Sequence, residues 1–269
     1  MSTIGTNVGA TSASFYLTIN NENLTKNIRR LSSGSRIADP VDDAAGVAVS
    51  ANLDARIVRL QAAVEGAQNL ISYAQTADGF LQTLQQQLTR MSELAQRATN
   101  GAFSDVDRAN YNIEFERLKT QINQISANAS FNGSTIFTTG TIAVAISAEG
   151  VTDFLVTSSL GNMSTLGITS LTIGSTTGAL TAIGSLNLAI QSIARRRAEV
   201  NADISKFNFH IQNIRTEKVN VQVANSRIKD LNVAEETTML SKNNILLQAS
   251  TAMLAQANTS QQNILTLLR

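Results

Sequence analysis

The last 38 residues, 232–269, contain no glycine and no proline and are rich in alanine, leucine, glutamine and methionine. Such a composition strongly favours helix. Its apolar residues fall in two adjacent seven-residue rows, one of Leu240, Leu247, Leu254 and Leu268, the other of Met239, Leu246, Met253 and Leu267. A repeat of that period is the seam of a coiled coil. A seam needs a partner, and the same spacing recurs at the other end of the chain in Leu17, Leu24, Ile28 and Leu31. The expectation is a chain that folds back, pairs its two ends, and buries them against copies of itself.

Bulk properties narrow the classes further. The 269 residues suffice for one or two domains. A formal charge of +1 without long runs of either sign asks for neither nucleic acid nor a charged membrane. Aromatic residues make up 4% and tryptophan is absent, which suits long helices packed through Leu, Ile, Val and Ala better than a compact core. The lack of cysteine removes disulfides and thiol chemistry. The first residues lack a basic segment followed by an apolar one, so no Sec signal is expected. No run of about 18 apolar residues predicts a membrane span.

Five segments follow from the pattern: 1–42, 43–137, 138–180, 181–231 and 232–269. Residues 1–10 show no periodicity and are expected to be extended or loosely ordered. A helix over about 12–33 should stop at Gly34. Pro40, the single proline, reads as a joint between two helices or as an ordinary helix start, and both readings stay open. From about 43 to 99 helical period is unbroken, first through Leu53, Ile57, Leu60, Val64, Ala67, Ile71 and Ala74. The stripe is then expected to slip by one residue to Ala77, Phe80, Leu84, Met91, Leu94 and Ala98. Such a helix would be about 80 Å long. Asn100-Gly101 ends it, and Ser104 with Asp107 three residues on resembles a capping box. The next helix carries Tyr111, Phe115, Leu118, Ile122, Ile125 and Ala129 and should return antiparallel.

Phe131-Asn132-Gly133 breaks the helical pattern. Alternation at 141–147 and 152–158 predicts one or two β-hairpins, followed by a Ser/Thr/Gly-rich loop over 159–178 that could carry O-linked glycans. Helical period returns over about 180–230 with Ile193, Val200, Ile204, Phe207, Ile211, Ile214, Val221 and Ile228, interrupted by Arg197, Lys218 and Asn225. The final helix should span about 234–268. The predicted fold is mainly α: long antiparallel helical rods forming a bundle, terminal coiled-coil helices, and a small central β-hairpin region.

Site chemistry is sparse. His210 is the single histidine, so neither a histidine triad nor an HExxH zinc site can be built. Arg195, Arg196 and Arg197 point in different directions on a helix and read as a solvated or salt-bridged face. Asp42 and Asp43 suit the positive end of a helix dipole. No glycine-rich phosphate loop follows a strand. No catalytic residue, metal site or cofactor is expected.

The segments RLSSGSRIADPVDDAAG (30–46), ISYAQTADGFLQTLQQQLTRMSELAQRATNG (71–101) and ANSRIKDLNVAEETTMLSKNNILLQASTAMLAQANTSQQNILTLLR (224–269) resemble the conserved ends of bacterial flagellin. The resemblance covers about 4–137 and 186–269. It implies a non-enzymatic subunit of the flagellar filament, with terminal helices lining a tube and long rods forming its outer wall. It also implies ends that are disordered in the monomer and fold on assembly. Export would be unfolded, without a cleaved signal peptide, to an extracellular filament. The implied partners are copies of the chain, an export chaperone, the type III export apparatus, and hook-associated junction and cap proteins. Ser35, Pro40-Val41 and residues 200–206 depart from the family pattern at the joint and on the second rod. No large variable domain occupies the middle. Arg90, Glu93 and Leu94, with Glu114 as neighbour, match a rod patch that in the family packs subunits and is read by the vertebrate flagellin receptor, Toll-like receptor 5. Two alternatives remain: a hook–filament junction protein, and a helical signalling or adhesin rod that does not polymerise.

Overall fold

The computed structural model describes residues 6–137, 140–145, 147–150, 152–157 and 166–267. They form five α-helices, α1 (Val8–Ser33), α2 (Ala44–Ala98), α3 (Asp105–Asn128), α4 (Thr176–Lys229) and α5 (Val233–Leu267), and four short strands, β1 (Ser130–Phe131), β2 (Ser134–Thr135), β3 (Gly140–Ala145) and β4 (Thr152–Thr157). The chain divides into two units: residues 1–56 with 220–269, and residues 57–219. Helices α2 and α4 contribute to both. No helix among the described residues is long and apolar enough to cross a membrane.

The 57–219 unit holds the apolar core. On α2 the buried row is a strict heptad, Ala67, Ala74, Leu81, Leu88 and Ala95 interleaved with Leu70, Ala77, Leu84, Met91 and Ala98. Of the expected stripe beyond Ala74, Ala77, Leu84, Met91, Leu94 and Ala98 are buried, and only Phe80 is not. Leu81 takes the core position, and Phe80 lies half-buried with its ring edge-on to Phe137 at 6.5 Å. The sequence offered both residues as apolar; a strict heptad suits a helix that keeps one face against its neighbours over many turns. On α4 Ala179, Leu186, Ile193, Val200, Phe207 and Ile214 form the matching row. Here Arg196, not Arg197, enters the buried stripe, and its guanidinium leaves by bonding Glu199 at 2.7 Å. Arg197 lies outside and grips Asp78 on α2 through Nε and Nη2 at 2.8 and 3.2 Å. With Lys218 on Gln61, these bonds set α2 and α4 antiparallel.

The α2–α3 turn is held by Arg108, which is buried and donates to the carbonyls of Ala98, Asn100 and Phe103. A cation there satisfies orphan carbonyls at the end of α2 and faces the negative end of its dipole. The capping box at the start of α3 is complete: the Asp107 amide donates to Ser104 Oγ at 3.3 Å, and the Ser104 amide donates to Asp107 Oδ2 at 3.0 Å. After α3, Asn132 and Gly133 adopt φ of 49° and 80°, the left-handed pair that a two-residue hairpin turn requires, and β1 pairs antiparallel with β2.

The two alternating stretches form one hairpin between them: β3 pairs antiparallel with β4 from Gly140↔Thr157 to Ala145↔Thr152. Ile142 and Val144 of β3 pack on the core. A Cβ at Gly66 would lie 3.0 Å from Val144, so α2 presents its backbone where the hairpin comes closest. Of the expected Ser/Thr/Gly-rich loop, 159–165 lie outside the described residues. The remainder is not a free loop. Leu166, Ile168, Leu171 and Ile173 are all buried, Lys119 donates to the Leu171 carbonyl at 3.0 Å, and Asn112 Oδ1 accepts from the Ile173 amide at 2.9 Å. Two pairs of apolar residues, each pair spaced by two, outweighed the polar composition around them.

Phe115 is fully buried in this core. Phe115→Ala should cost about 3–5 kcal/mol of stability, read as a shift in the denaturant midpoint. A loss under about 1 kcal/mol would mean that α3 is not part of the cooperative core.

Candidate assembly surface

The other unit is built differently. Helix α1 begins at Val8, so residues 8–10, expected to be extended, are its first turn; residues 1–5 lie outside the described residues. Asn7 caps it, accepting from the Ala10 amide at 2.9 Å, and its amide nitrogen donates to the Ala257 carbonyl of α5 at 3.2 Å. Further along, Asn20 donates to Ser250 Oγ at 2.8 Å. Asn27, in the amide orientation that satisfies it, accepts from Asn243 Nδ2 and the Leu240 amide at 3.2 Å. Rising numbers on α1 meet falling numbers on α5, so the two helices pair antiparallel.

Along both helices the inward positions form strict heptads. On α1 they are Ala10, Leu17, Leu24 and Leu31 with Ala13, Asn20 and Asn27; on α5 they are Leu240, Leu247, Leu254 and Gln261 with Glu236, Asn243, Ser250 and Ala257. The leucines of the sequence-predicted seam are half-buried. Ile28 is not in the seam: it is 52% exposed, and Asn27, at 7%, occupies the inward position. Of the two rows read on α5, the Leu240 row faces α1. The Met239, Leu246 and Met253 row is exposed, Met253 at 66%. The Leu267 side chain and Leu268 lie outside the described residues. On α1, Val8, Phe15 and Tyr16 are also exposed. Among the described residues no apolar side chain of α1 or α5 is buried, whereas Asn27, Glu236 and Ser250 are.

Between α1 and α2 the chain makes its joint. Gly34, with φ of 67°, ends α1 in the left-handed conformation. The Arg36 amide donates to the Lys229 carbonyl at 2.7 Å, the Leu231 amide to the Gly34 carbonyl at 3.2 Å, and Ser35 Oγ to the Lys229 carbonyl at 3.1 Å. Pro40 lies in the exposed turn four residues before α2 and is not part of its first turn. Asp42 closes the joint on α1: Lys26 bonds it at 2.7 Å and Arg30 at 3.4 Å. The hydrogen bond from Lys26 holds its carboxyl below the ordinary carboxylate value, the Arg30 charge adds to this, and burial opposes it. Behind the joint, Ser50 donates to Asn225 Oδ1 at 2.8 Å and Asn225 donates to Asp54 at 2.6 Å, a polar bridge from α2 to α4.

The rod patch lies in the 57–219 unit. Arg90 Nε donates to Glu114 at 2.9 Å and Nη1 to Glu93 at 2.8 Å, while Arg97 bonds the other Glu93 oxygen at 2.5 Å. Arg90 first, then Arg97, lowers the Glu93 carboxyl below its usual range. Leu94 does not share this surface: it is 1% exposed and part of the core, one position along the helix from the charged face. Among the described residues no group of three or more His, Cys, Asp or Glu side chains could hold a metal ion.

Sequence reasoning missed Asn20, Asn27, Asn243 and Ser250, although their seven-residue spacings in the second inward row were available as a signal. It also assigned Asp42 to a helix dipole rather than to the joint.

The described geometry can be set beside known proteins. Residues 4–141 match the bacterial flagellin N-terminal helical region, and residues 183–268 match the bacterial flagellin C-terminal helical region. The chain is 35% identical to the flagellar filament 30.7 kDa core protein of Treponema maltophilum, over 98% of this chain and 99% of that one. It is 30% identical to a flagellin of Listeria innocua, again over 98% and 99%. The crystal structure of Bacillus cereus flagellin superposes with a TM-score of 0.51 at 26% identity, covering 56% of this chain and 88% of the other. A putative flagellar hook-associated protein from Vibrio parahaemolyticus superposes with a TM-score of 0.56 at 12% identity over 70% of this chain and 98% of its own, a likeness of fold alone.

Because Asp42 has a lowered carboxyl, its contribution is complete above the ordinary carboxylate value and is lost as pH falls through the lowered one. Amides of residues 34–43 should lose hydrogen-exchange protection over that acidic step, and Asp42→Asn should abolish the step. An unchanged step in the Asn variant would place its origin elsewhere.

Proposed function

The chain belongs to the bacterial flagellin family and is a structural subunit of the flagellar filament; from that premise we propose how it assembles and what its surfaces meet. The observation that carries the reading is the pairing of α1 with α5 over a half-buried seam, beside exposed apolar rows on both helices. A two-helix pair that buries no apolar side chain completely gains little from hydrophobic transfer, while ordering each residue costs roughly 1–2 kcal/mol of backbone entropy. Covering Met239, Leu246 and Met253 on α5, and Val8 and Phe15 on α1, with neighbouring copies supplies what the isolated pair lacks. The ends are therefore open in the free subunit and fold as the polymer grows.

The work of the protein is mechanical, not catalytic. Within the 57–219 unit the continuous apolar core and the Arg197–Asp78 clamp keep the helices in one arrangement under load. Membership of the family supports the finer partners: an export chaperone, the type III export apparatus without a cleaved signal peptide, and junction and cap proteins at the filament ends. Arg90, Glu93 and Glu114 form an exposed charged surface suited to packing against another subunit, and the same surface is the one offered to Toll-like receptor 5. Leu94 acts there only by fixing the helix face that carries them.

Electron microscopy of the full chain at high concentration, beside a version ending at Asn232, tests the reading. Long uniform filaments are expected from the full chain and none from the shortened one. Met253→Asp, which leaves the α1-facing row intact, should also abolish filaments. A full chain that stays a discrete particle when seeded with filament fragments would sink the proposal.

A further inference from the structure

The α1–α5 seam raises a problem of register. Its leucine rows repeat every seven residues on both helices, so sliding α5 by one heptad replaces three leucine layers (Leu17 with Leu254, Leu24 with Leu247, Leu31 with Leu240) by two of the same kind. A strict heptad of one residue type discriminates poorly between such registers. The interleaved row is not uniform. Among the described residues it reads Ala13, Asn20 and Asn27 on α1 against Ala257, Ser250 and Asn243 on α5, and it contains the most deeply buried side chains of both helices, Asn27, Glu236 and Ser250.

We infer that the polar layers Asn20–Ser250 and Asn27–Asn243 are the register key of the terminal helix pair. In the observed register each amide meets a group that can satisfy it, at 2.8 Å for Asn20 on Ser250 and 3.2 Å for Asn243 on Asn27. Slid seven residues one way, Asn20 faces the methyl group of Ala257 and loses its partner. Slid the other way, Asn27 faces Glu236 and Asn20 faces Asn243, so both amides keep a polar partner while Ser250 faces Ala13; either slide loses one leucine layer. Asn20, set inward and left without a partner, is penalised by uncompensated desolvation, so the polar row adds to the one lost leucine layer against the first slide. The same layers weaken the pair, because an amide pair contributes less than leucines would in those places. The arrangement thus trades strength for a single alignment of two helices more than 200 residues apart in the chain, as the 230 residues between Asn20 and Ser250 illustrate. The inference depends on the pairing of α1 with α5, not on polymerisation.

The chain has no cysteine, so engineered pairs report without background. A Cβ built at Gly9 lies 3.8 Å from the Ala257 Cβ, within disulfide range, which makes Gly9→Cys with Ala257→Cys a reporter of the observed register. Tyr16→Cys with Ala257→Cys reports the register slid by one heptad. Each pair is oxidised, in soluble and in sedimented material, with the polar layers intact and with both partners of each layer changed to alanine (N20A with S250A, and N27A with N243A). Changing both partners leaves no orphaned amide and adds no leucine layer to either register. With the layers intact, the 9–257 bridge within one chain is expected and the 16–257 bridge is not. With the layers removed, the 16–257 bridge should appear beside the other. A variant restricted to N20A with S250A should give an intermediate yield, and it serves if the fourfold change does not fold. Continued formation of the 9–257 bridge alone in both alanine backgrounds would overturn the inference and assign the register to the leucine layers and the backbone bonds of the joint. Filaments from the intact chain without any 9–257 bridge would overturn it too, leaving the filament reading in place. A 9–257 bridge with intact layers in a chain that never polymerises, joined by the 16–257 bridge once they are removed, would support the key and refute the filament reading.

Discussion

Antiparallel pairing of distant halves is the interaction on which both units depend. Asn7 meets Ala257, Asn20 meets Ser250, Ser50 meets Asn225, Gln61 meets Lys218, and Asp78 meets Arg197. Each half of the chain carries helices with one apolar face and little else, and such a helix is marginal in water until that face is covered. Part of α2 is covered by α3 of the same half, and the rest of its apolar face is covered by α4 of the second half. Loop closure over such separations costs entropy that grows slowly with length, so the long middle of the chain is a tolerable intervening loop once both halves are helical.

The two units use that pairing to opposite ends. In the 57–219 unit a third helix, a hairpin and the 166–173 segment close over the α2–α4 seam, and leucine, methionine, phenylalanine and isoleucine are buried completely. In the other unit only two helices face each other along α1 and α5. Their leucines reach half-burial, the deepest places go to amides, a hydroxyl and a carboxylate, and the second apolar row stays in contact with solvent. One part is therefore complete as a single chain, while the other presents surface that further copies can bury. A filament subunit needs both properties: a part that holds its shape and a part whose burial is reserved for assembly.

Local chemistry holds the connections. Gly34 turns left-handed, the joint is stitched by backbone bonds to 229–231, and Asp42 gathers Lys26 and Arg30. Most of these ion pairs are at least partly exposed, so their role is geometric: surface pairs contribute roughly 0–1 kcal/mol each but fix which side chains meet. Ser35, whose hydroxyl donates to the Lys229 carbonyl, and Pro40, in the turn before α2, both fall in this joint.

The sequence by itself determined where the helices run, because helix propensity, heptad period and the stops at Gly34, Asn100-Gly101 and Asn132-Gly133 are local properties. It also carried the family resemblance and the pairing of the two ends. Tertiary structure alone decided which of two adjacent apolar rows turns inward. Leu81 rather than Phe80, Asn27 rather than Ile28, and the Leu240 row rather than the Met239 row face the partner, and Leu94 belongs to the core rather than to the charged patch beside it. It also joined β3 to β4 in one hairpin and drew Leu166, Ile168, Leu171 and Ile173 out of an apparent loop. The reason is geometric. Neighbouring positions on a helix are about 100° apart, so a one-residue choice rotates a whole face. Period reveals that a face exists, but only the position of the partner helix selects it.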